Sequence, residues 1–301
     1  MVGVPRPIIK GDKTSLLLIR RIEMYGIRRI FTKVKNKLLE QRLKKVESDK
    51  WKHSKEIWEN IGKDEKSAFM MMDGSQSEED LQRKGRITAE KIVKGLAIDK
   101  THKVLEIGCG VGRIGRELAP QCKEWIGVDI SSTIIKITKK RTAHLNNVQL
   151  AVLDKSFKLP FPDDTFDRIY CHVVLMHIQN EDMYTYFQEI KRVLKPKGIA
   201  FYDAFNLNTE DGWNRFLWEF ERYKGKYRPM HRSRFTTPQE IKRYTEKTGL
   251  EILFLREPIF WVEVIATKLP DTINKDEEIN SILNALRKGL EPNLFVFDDI
   301  Q

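Results

Sequence analysis

From residue 86 onward, short apolar-rich runs alternate with longer stretches of helical spacing. The runs over 104–107, 125–130, 148–153, 166–171 and 199–204 have the length and density expected of strands buried on both faces. The intervening spacing predicts helices over 87–96 and 113–118, and another starting near Ser131, where Ser131 or Ser132 can cap it. A further helix over 181–194 ends at Lys195-Pro196-Lys197-Gly198, a helix-stop and turn signal. Strands separated by helices of this length imply an α/β fold, a parallel sheet covered on both faces.

The alternation breaks after Phe205. Residues 206–236 are rich in aromatics, among them Trp213, Phe216, Trp218, Phe220, Tyr223 and Tyr227. Thr237-Pro238-Gln239-Glu240 then opens a helix in the capping-box manner. Runs over 251–255 and 261–267 read as a hairpin at the sheet edge, and 277–290 as one amphipathic helix in a tail spanning 269–301. Upstream, Ile19, Ile22, Ile27, Ile30, Val34 and Leu38 recur at helical steps among many cations, so 1–50 reads as a basic amphipathic helical extension. Residues 51–85, with Trp51, Trp58 and a turn signal at Asp73-Gly74, read as a helical lead-in to a domain over 86–268.

Charge separates these parts. The chain has a formal net charge of +11, but residues 1–50 hold 14 Lys/Arg against 5 Asp/Glu, and the remaining 40 Lys/Arg face 38 Asp/Glu. A polyanion groove would spread its cations over the folded body, so composition argues against a nucleic-acid partner for that body. The extension admits three readings: extra core docked on the domain, contact with an anionic membrane surface, or binding of a polyanion. No apolar run reaches the length of a membrane-spanning helix. Cys109, Cys122 and Cys171 form no CxxC pair and read as reduced thiols of a cytoplasmic protein, with no metal site implied.

The chemistry concentrates at Glu106-Ile107-Gly108-Cys109-Gly110-Val111-Gly112, a strand running into three alternating glycines. Glycines there let backbone come close to a ligand that a Cβ would block. In the dinucleotide fingerprint the third glycine would fall at position 113, which is Arg113; here it arrives one residue early, at Gly112. Asp129, at the end of the next run, can hydrogen-bond both hydroxyls of a ribose.

With Gly127-Val128-Asp129-Ile130-Ser131, Leu153-Asp154, Leu159-Pro160-Phe161, Phe166-Asp167-Arg168-Ile169-Tyr170 and the stretch Glu189 to Gly198, the chain resembles the class I S-adenosylmethionine (SAM)-dependent methyltransferase superfamily over roughly residues 86–268. The resemblance implies a Rossmann-like, seven-stranded, mostly parallel sheet with a reversed C-terminal hairpin. It implies SAM as cofactor and S-adenosylhomocysteine as product. Glu106, Gly108 and Gly110 would hold the methionine part, Asp129 the ribose and Asp154 the adenine amino group, with Cys109, Gly112, Ile130, Lys155 and Cys171 as further cofactor-binding candidates. Lys155 departs from the small residue usual there, and Lys197 from a common glycine.

A sulfonium methyl is already activated, so transfer needs a nucleophile held in line and a group to take its proton. His172 and His177 follow the strand 166–171 and are the candidate bases; His231, beside Arg232 and Arg234, could orient an anionic acceptor. Trp213, Trp218 and Tyr223 are expected to line a substrate cover over 206–236. The expected acceptor is a small molecule, a glycan or a lipid-linked intermediate, with oxygen favoured. A quinone-type carbon methyltransferase, an RNA methyltransferase and a non-catalytic SAM-binding subunit are the alternatives.

Overall fold

A computed structural model describes residues 55–154, 157–226, 232–270 and 274–287, together with the single position 37. The rest of the basic extension 1–50, with Trp51, Lys155, Tyr227, His231 and the end of the tail, lies outside the described residues.

The elements in order are a helical turn over 55–61, α1 (Glu65–Asp73), α2 (Glu78–Gly95), β1 (Lys103–Ile107), α3 (Gly115–Leu118), β2 (Glu124–Asp129), α4 (Ser132–Arg141), β3 (Val148–Val152) and β4 (Phe166–Cys171). They continue through α5 (Asn180–Val193), β5 (Leu194–Asn206), α6 (Glu210–Tyr223), β6 (Phe235–Thr236), α7 (Pro238–Thr248), β7 (Glu251–Arg256), β8 (Trp261–Thr267) and α8 (Lys275–Arg287). The sheet runs β3-β2-β1-β4-β5-β8-β7, with two-residue β6 added beside β5. It is therefore the expected seven-strand path plus one short strand. Strands β3, β2, β1, β4 and β5 are mutually parallel, and only the β5–β8 and β7–β8 pairs are antiparallel. The hairpin lies at the sheet edge as expected, and within it β8 inserts between β5 and β7, leaving β7 outermost.

Each face of the sheet buries its own core. On one face Leu105, Ile107, Ile126, Val128, Ile169 and Cys171 pack against α5 through Met183, Tyr186, Phe187 and Ile190, and against Ile241 of α7. On the other, Val104, Trp125, Tyr170, Phe201 and Ile265 meet Ala89 and Ile92 of α2, Leu118 of α3 and Leu286 of α8. Each fully buried large side chain contributes about 1.5–3 kcal/mol. A Cβ on Gly115 would fall inside the Trp125 ring, so that helix can approach the sheet only with glycine there.

Two boundaries differ from the sequence expectation. Helix α2 begins at Glu78, well before residue 87, because the Ser77 side chain accepts from the Asp80 N–H and three acids occupy the first turn. The Lys195-Pro196-Lys197-Gly198 segment does stop α5, but it is the start of β5 and not a free turn: Leu194 pairs with Phe166, and Lys197 takes φ 64° where the register shifts. Helix caps at Ser131 and Thr237 form as read, accepting from the N–H groups of Ile134 and Glu240.

Candidate active site

The carboxyl ends of β1, β2 and β4 lie side by side and open onto the glycine loop, the crevice position of an open α/β sheet. Gly108, Gly110 and Gly112 take φ of 71°, 51° and 72°, conformations that explain their spacing. An added Cβ would strike Val174 at Gly108, Met72 at Gly110 and Thr138 at Gly112. The Gly108 and Cys109 N–H groups donate to Val128 C=O at 2.8 and 2.9 Å. Gly110 N–H donates to Asp129 Oδ2 at 3.1 Å, and Gly112 N–H to Cys109 C=O at 2.9 Å. These four donors are engaged inside the protein and cannot cradle a pyrophosphate, the opposite of what a dinucleotide turn requires.

Asp129 closes the loop from the end of β2. Its Oδ1 accepts from the Ser131 N–H at 2.9 Å while Oδ2 holds Gly110. Burial raises its carboxyl to about 6, with the backbone hydrogen bonds from Ser131 and Gly110 opposing that shift. A carboxylate so held presents its remaining lone pairs at the crevice, which suits a ribose diol and repels a phosphate. Ile130 packs beside it on the α5 face, and Asp154 stands exposed at the end of β3. The residues present thus fit a neutral-diol nucleoside such as SAM.

Other cofactor candidates point elsewhere. The Glu106 carboxylate turns to the α2 face, where Tyr170 Oη donates to its Oε2 at 2.6 Å and Trp125 Nε1 donates to Tyr170 Oη at 3.0 Å. Burial pushes Glu106 up to about 8 and lifts the Tyr170 hydroxyl well above its usual range. The Cys171 side chain enters the α5-side core, and Cys109 packs near Trp125. For these two, only backbone remains at the crevice. Arg113, the residue that breaks the dinucleotide spacing, is buried, hydrogen-bonded to Thr88 Oγ1 at 2.9 Å and paired with Asp73 at 3.3 Å.

Glu106 yields a pH dependence with a definite sign. In the unfolded chain its carboxyl has an ordinary acidic value, so between there and about 8 the folded protein keeps a proton that the unfolded chain releases. This contribution to stability is full below the unfolded value and is lost as pH rises toward 8. Urea unfolding should show the wild type losing stability between about pH 5 and about pH 8.5, and E106Q should flatten that decline. Equal slopes for both proteins would refute the assignment.

The lead-in roofs the crevice, a role the sequence did not disclose. Glu59 accepts from the Ser132 and Thr133 N–H groups, each at 2.9 Å, capping α4 beside Asp129. These hydrogen bonds outweigh its desolvation and hold its carboxyl down at about 2. The neighbouring Trp58 ring meets His177 edge-on at 5.2 Å. Since β1 lies between β2 and β4, a segment touching both Ser131 and His177 crosses above the glycine loop. Met72 of α1 rests on Gly110 from the same side.

His172 stands one step beyond the paired Cys171 and Tyr202, so the parallel register puts it beside Asp203 of β5. Its Nδ1 is hydrogen-bonded to Asp203 Oδ2, and Asp203 Oδ1 accepts from the Val173 N–H at 2.7 Å. Both side chains are buried, under Phe201 and Trp261, whose ring centroids each lie 6.3 Å from the imidazole. Beyond them Met176, Phe205 and Trp261, with Val173, Phe235 and Phe260 packed on, form an aromatic wall. Asp203 was missed in the sequence, although a lone acid inside the apolar run 199–205 was a usable signal.

The aromatic helix corrects an expectation. Trp213, Trp218 and Tyr223 were expected to line a substrate cover; Trp213 and Trp218 stand exposed instead, with Trp218 joining Leu217, Glu221 and Arg222 around an open surface groove. The inward ridge of α6 is Gly212, Phe216, Glu219 and half-buried Tyr223, with Phe216 edge-on to Phe235 at 5.6 Å. Gly212 faces the Asn206 carbonyl so closely that no side chain fits, which fixes the rotation of the helix and turns the tryptophans out.

Comparison with known proteins agrees with this geometry. The family described as "Methyltransferase domain" matches residues 104–198. The demethylmenaquinone methyltransferase of Staphylococcus aureus (strain JH9) is 26% identical over 182 residues, covering 54% of this chain and 74% of that protein. Among solved structures, Haemonchus contortus phosphoethanolamine N-methyltransferase 1, in complex with phosphoethanolamine and S-adenosylhomocysteine, superposes with a TM-score of 0.56 at 17% identity. It covers 79% of this chain and 53% of that one. A putative methyltransferase from Bacillus halodurans C-125 gives a TM-score of 0.50 at 17% identity, covering 60% and 99% respectively. These two share the fold.

Proposed function

We propose that this chain, which belongs to the class I SAM-dependent methyltransferase superfamily, methylates an oxygen of a small-molecule, glycan or lipid-linked acceptor, with His172 as the base and Asp203 positioning it. The enzyme uses SAM and releases S-adenosylhomocysteine. When bound, SAM supplies an activated methyl on a sulfonium. Asp129 and the backbone of Gly108 to Gly112 are the groups that would hold it.

The observation that carries the oxygen reading is the buried His172–Asp203 pair at the adjoining ends of β4 and β5. With Nδ1–H donated to the carboxylate, Nε2 is the basic nitrogen, suited to taking a hydroxyl proton as the oxygen becomes nucleophilic. Asp203 stabilises the imidazolium that results. His177 we assign to the roof, as the partner of Trp58. Residues 1–50, which carry most of the excess positive charge, would add contact with an anionic membrane.

A second reading is supported by the likeness to the demethylmenaquinone methyltransferase together with the aromatic wall beside His172: a flat quinone-like ring methylated at carbon. SAM carrying a carbon-13 methyl, incubated with fractionated cell extract, tests the two. Label in a lipid, glycan or small-molecule fraction with the shift of an oxygen-bound methyl is the expected result. A carbon-bound methyl selects the second reading, and label confined to RNA overturns both.

A further inference from the structure

Among the described residues six other than glycine take a positive φ, and Val173 and Ile259 are the β-branched ones. Val173, at 62°, follows directly on His172. A branched Cβ enters this left-handed region only where its surroundings force it. Two anchors do so here. On one side the Val173 N–H donates to Asp203 Oδ1 at 2.7 Å, on the same carboxylate that holds His172 Nδ1. On the other, Val174 is seated on the glycine loop: a Cβ at Gly108 would fall 2.3 Å from its Cγ2. Glu106 pairs with Tyr170, so Gly108 is level with His172, and an extended chain would carry residue 174 about 6.5 Å beyond it. The chain instead turns back into the short helical turn Leu175–His177, whose His177 N–H donates to Val174 C=O at 2.9 Å. With the N–H pinned to β5 and the next side chain pinned over β1, the turn falls on the N–Cα bond of Val173.

We infer that Val173 is a positioning residue for methyl transfer and acts through its backbone: its left-handed turn fixes where His172 stands relative to the glycine loop. The inference rests on the assignment of His172 as the base. Transfer needs base, acceptor and methyl held in line, and a misplacement of about 1 Å is enough to slow it severely. Asp203 ties the imidazole to β5, while Val173 and Val174 tie the backbone of the base to the loop that follows β1. Ladder pairing of β4 with β5 stops at Cys171, so these ties are what hold the strand end beyond it. The Val173 side chain brings no chemistry of its own: it is apolar, half-buried and packed on the aromatic wall. Relaxing φ to a negative value would release either the Asp203 hydrogen bond or the seat on Gly108.

Val173→Asn and Val173→Gly separate backbone from side chain, because both remove the branched side chain. Asparagine tolerates a positive φ, whereas glycine permits it along with everything else. Both accept 62° more readily than valine, so each is expected to fold, with the melting temperature as the check. Rates are read as transfer of labelled methyl from SAM into the extract fraction that accepts it. Val173→Asn should stay within about threefold of wild type, and Val173→Gly should fall about tenfold or more at saturating SAM, with SAM affinity unchanged in both. In an H172Q background Val173→Gly should cost nothing further. The His172 Nδ1 proton, assigned by its loss in H172Q, should give a sharp downfield NMR signal in wild type and Val173→Asn and a broadened one in Val173→Gly, a readout that needs no acceptor. Equal losses in the two variants would overturn the inference in favour of side-chain packing. So would wild-type rate and signal in Val173→Gly. Wild-type rates in H172Q would remove the base and this inference with it, whereas a loss in H172Q beside equal rates for the two Val173 variants would remove this inference alone.

Discussion

H172Q is expected to lower kcat by roughly a hundredfold to ten-thousandfold, the contribution of a positioned general base, while SAM affinity stays within about threefold. That loss corresponds to about 3–5 kcal/mol of transition-state stabilisation. The reason for the separation is geometric: His172 is tied to β5 through Asp203, whereas the loop and Asp129 are tied to β2. D203N should reduce kcat comparably, because an amide facing Nδ1 favours the wrong tautomer and leaves the imidazolium uncompensated. Its remaining carbonyl can still accept from the Val173 N–H, so the backbone there is retained. A merely structural Asp203 would change the melting temperature and leave the pH profile of kcat in place. The dyad instead requires that profile to move in D203N. Values of kcat within about threefold of wild type for both variants would remove His172 from the mechanism and favour the carbon-methylating reading.

Asp129 carries the second large effect. Hydrogen bonds to a charged acceptor are worth about 1.5–3 kcal/mol each, so D129A, losing two ribose contacts, should weaken SAM binding by about a hundredfold or more in calorimetry. The pH dependence has a fixed direction. Burial sets the Asp129 carboxyl at about 6, and only the ionised form accepts from both hydroxyls. Affinity should therefore be full above that value and fall by up to about tenfold per pH unit below it. D129N should bind weakly at every pH and lack the slope. An unchanged affinity in D129A would place the nucleoside elsewhere in the crevice.

Much of the fold was legible because parallel strands sealed on both faces read as short apolar runs, and the chain offers five of them in order, at β1 to β5. The glycine loop and the acid beside it were legible for a related reason. A glycine loop followed by an acid at the next strand end is a local pattern, and the early third glycine at Gly112 was visible without any structure. Helix starts were less legible where the cap is polar and the apolar stripe begins late, as at Ser77 before α2. Strand β5 is longer than its apolar run because Lys195 to Gly198 carry a helix-stop signal and fall in the register shift between the Leu194–Phe166 and Ile199–Arg168 pairs.

By itself the sequence determined the α/β class, the glycine loop, the place of Asp129 and the polar departure at Arg113, all properties of residues close in the chain. The tertiary structure decided everything that depends on residues far apart. Parallel register set His172 against Asp203, and the position of β1 between β2 and β4 turned Trp58, Glu59 and Met72 into a roof over the loop. The contact of Gly212 with Asn206 turned Trp213 and Trp218 outward. Side-chain direction on a helix follows from what its other face must bury, and that partner is not written in the helix's own residues.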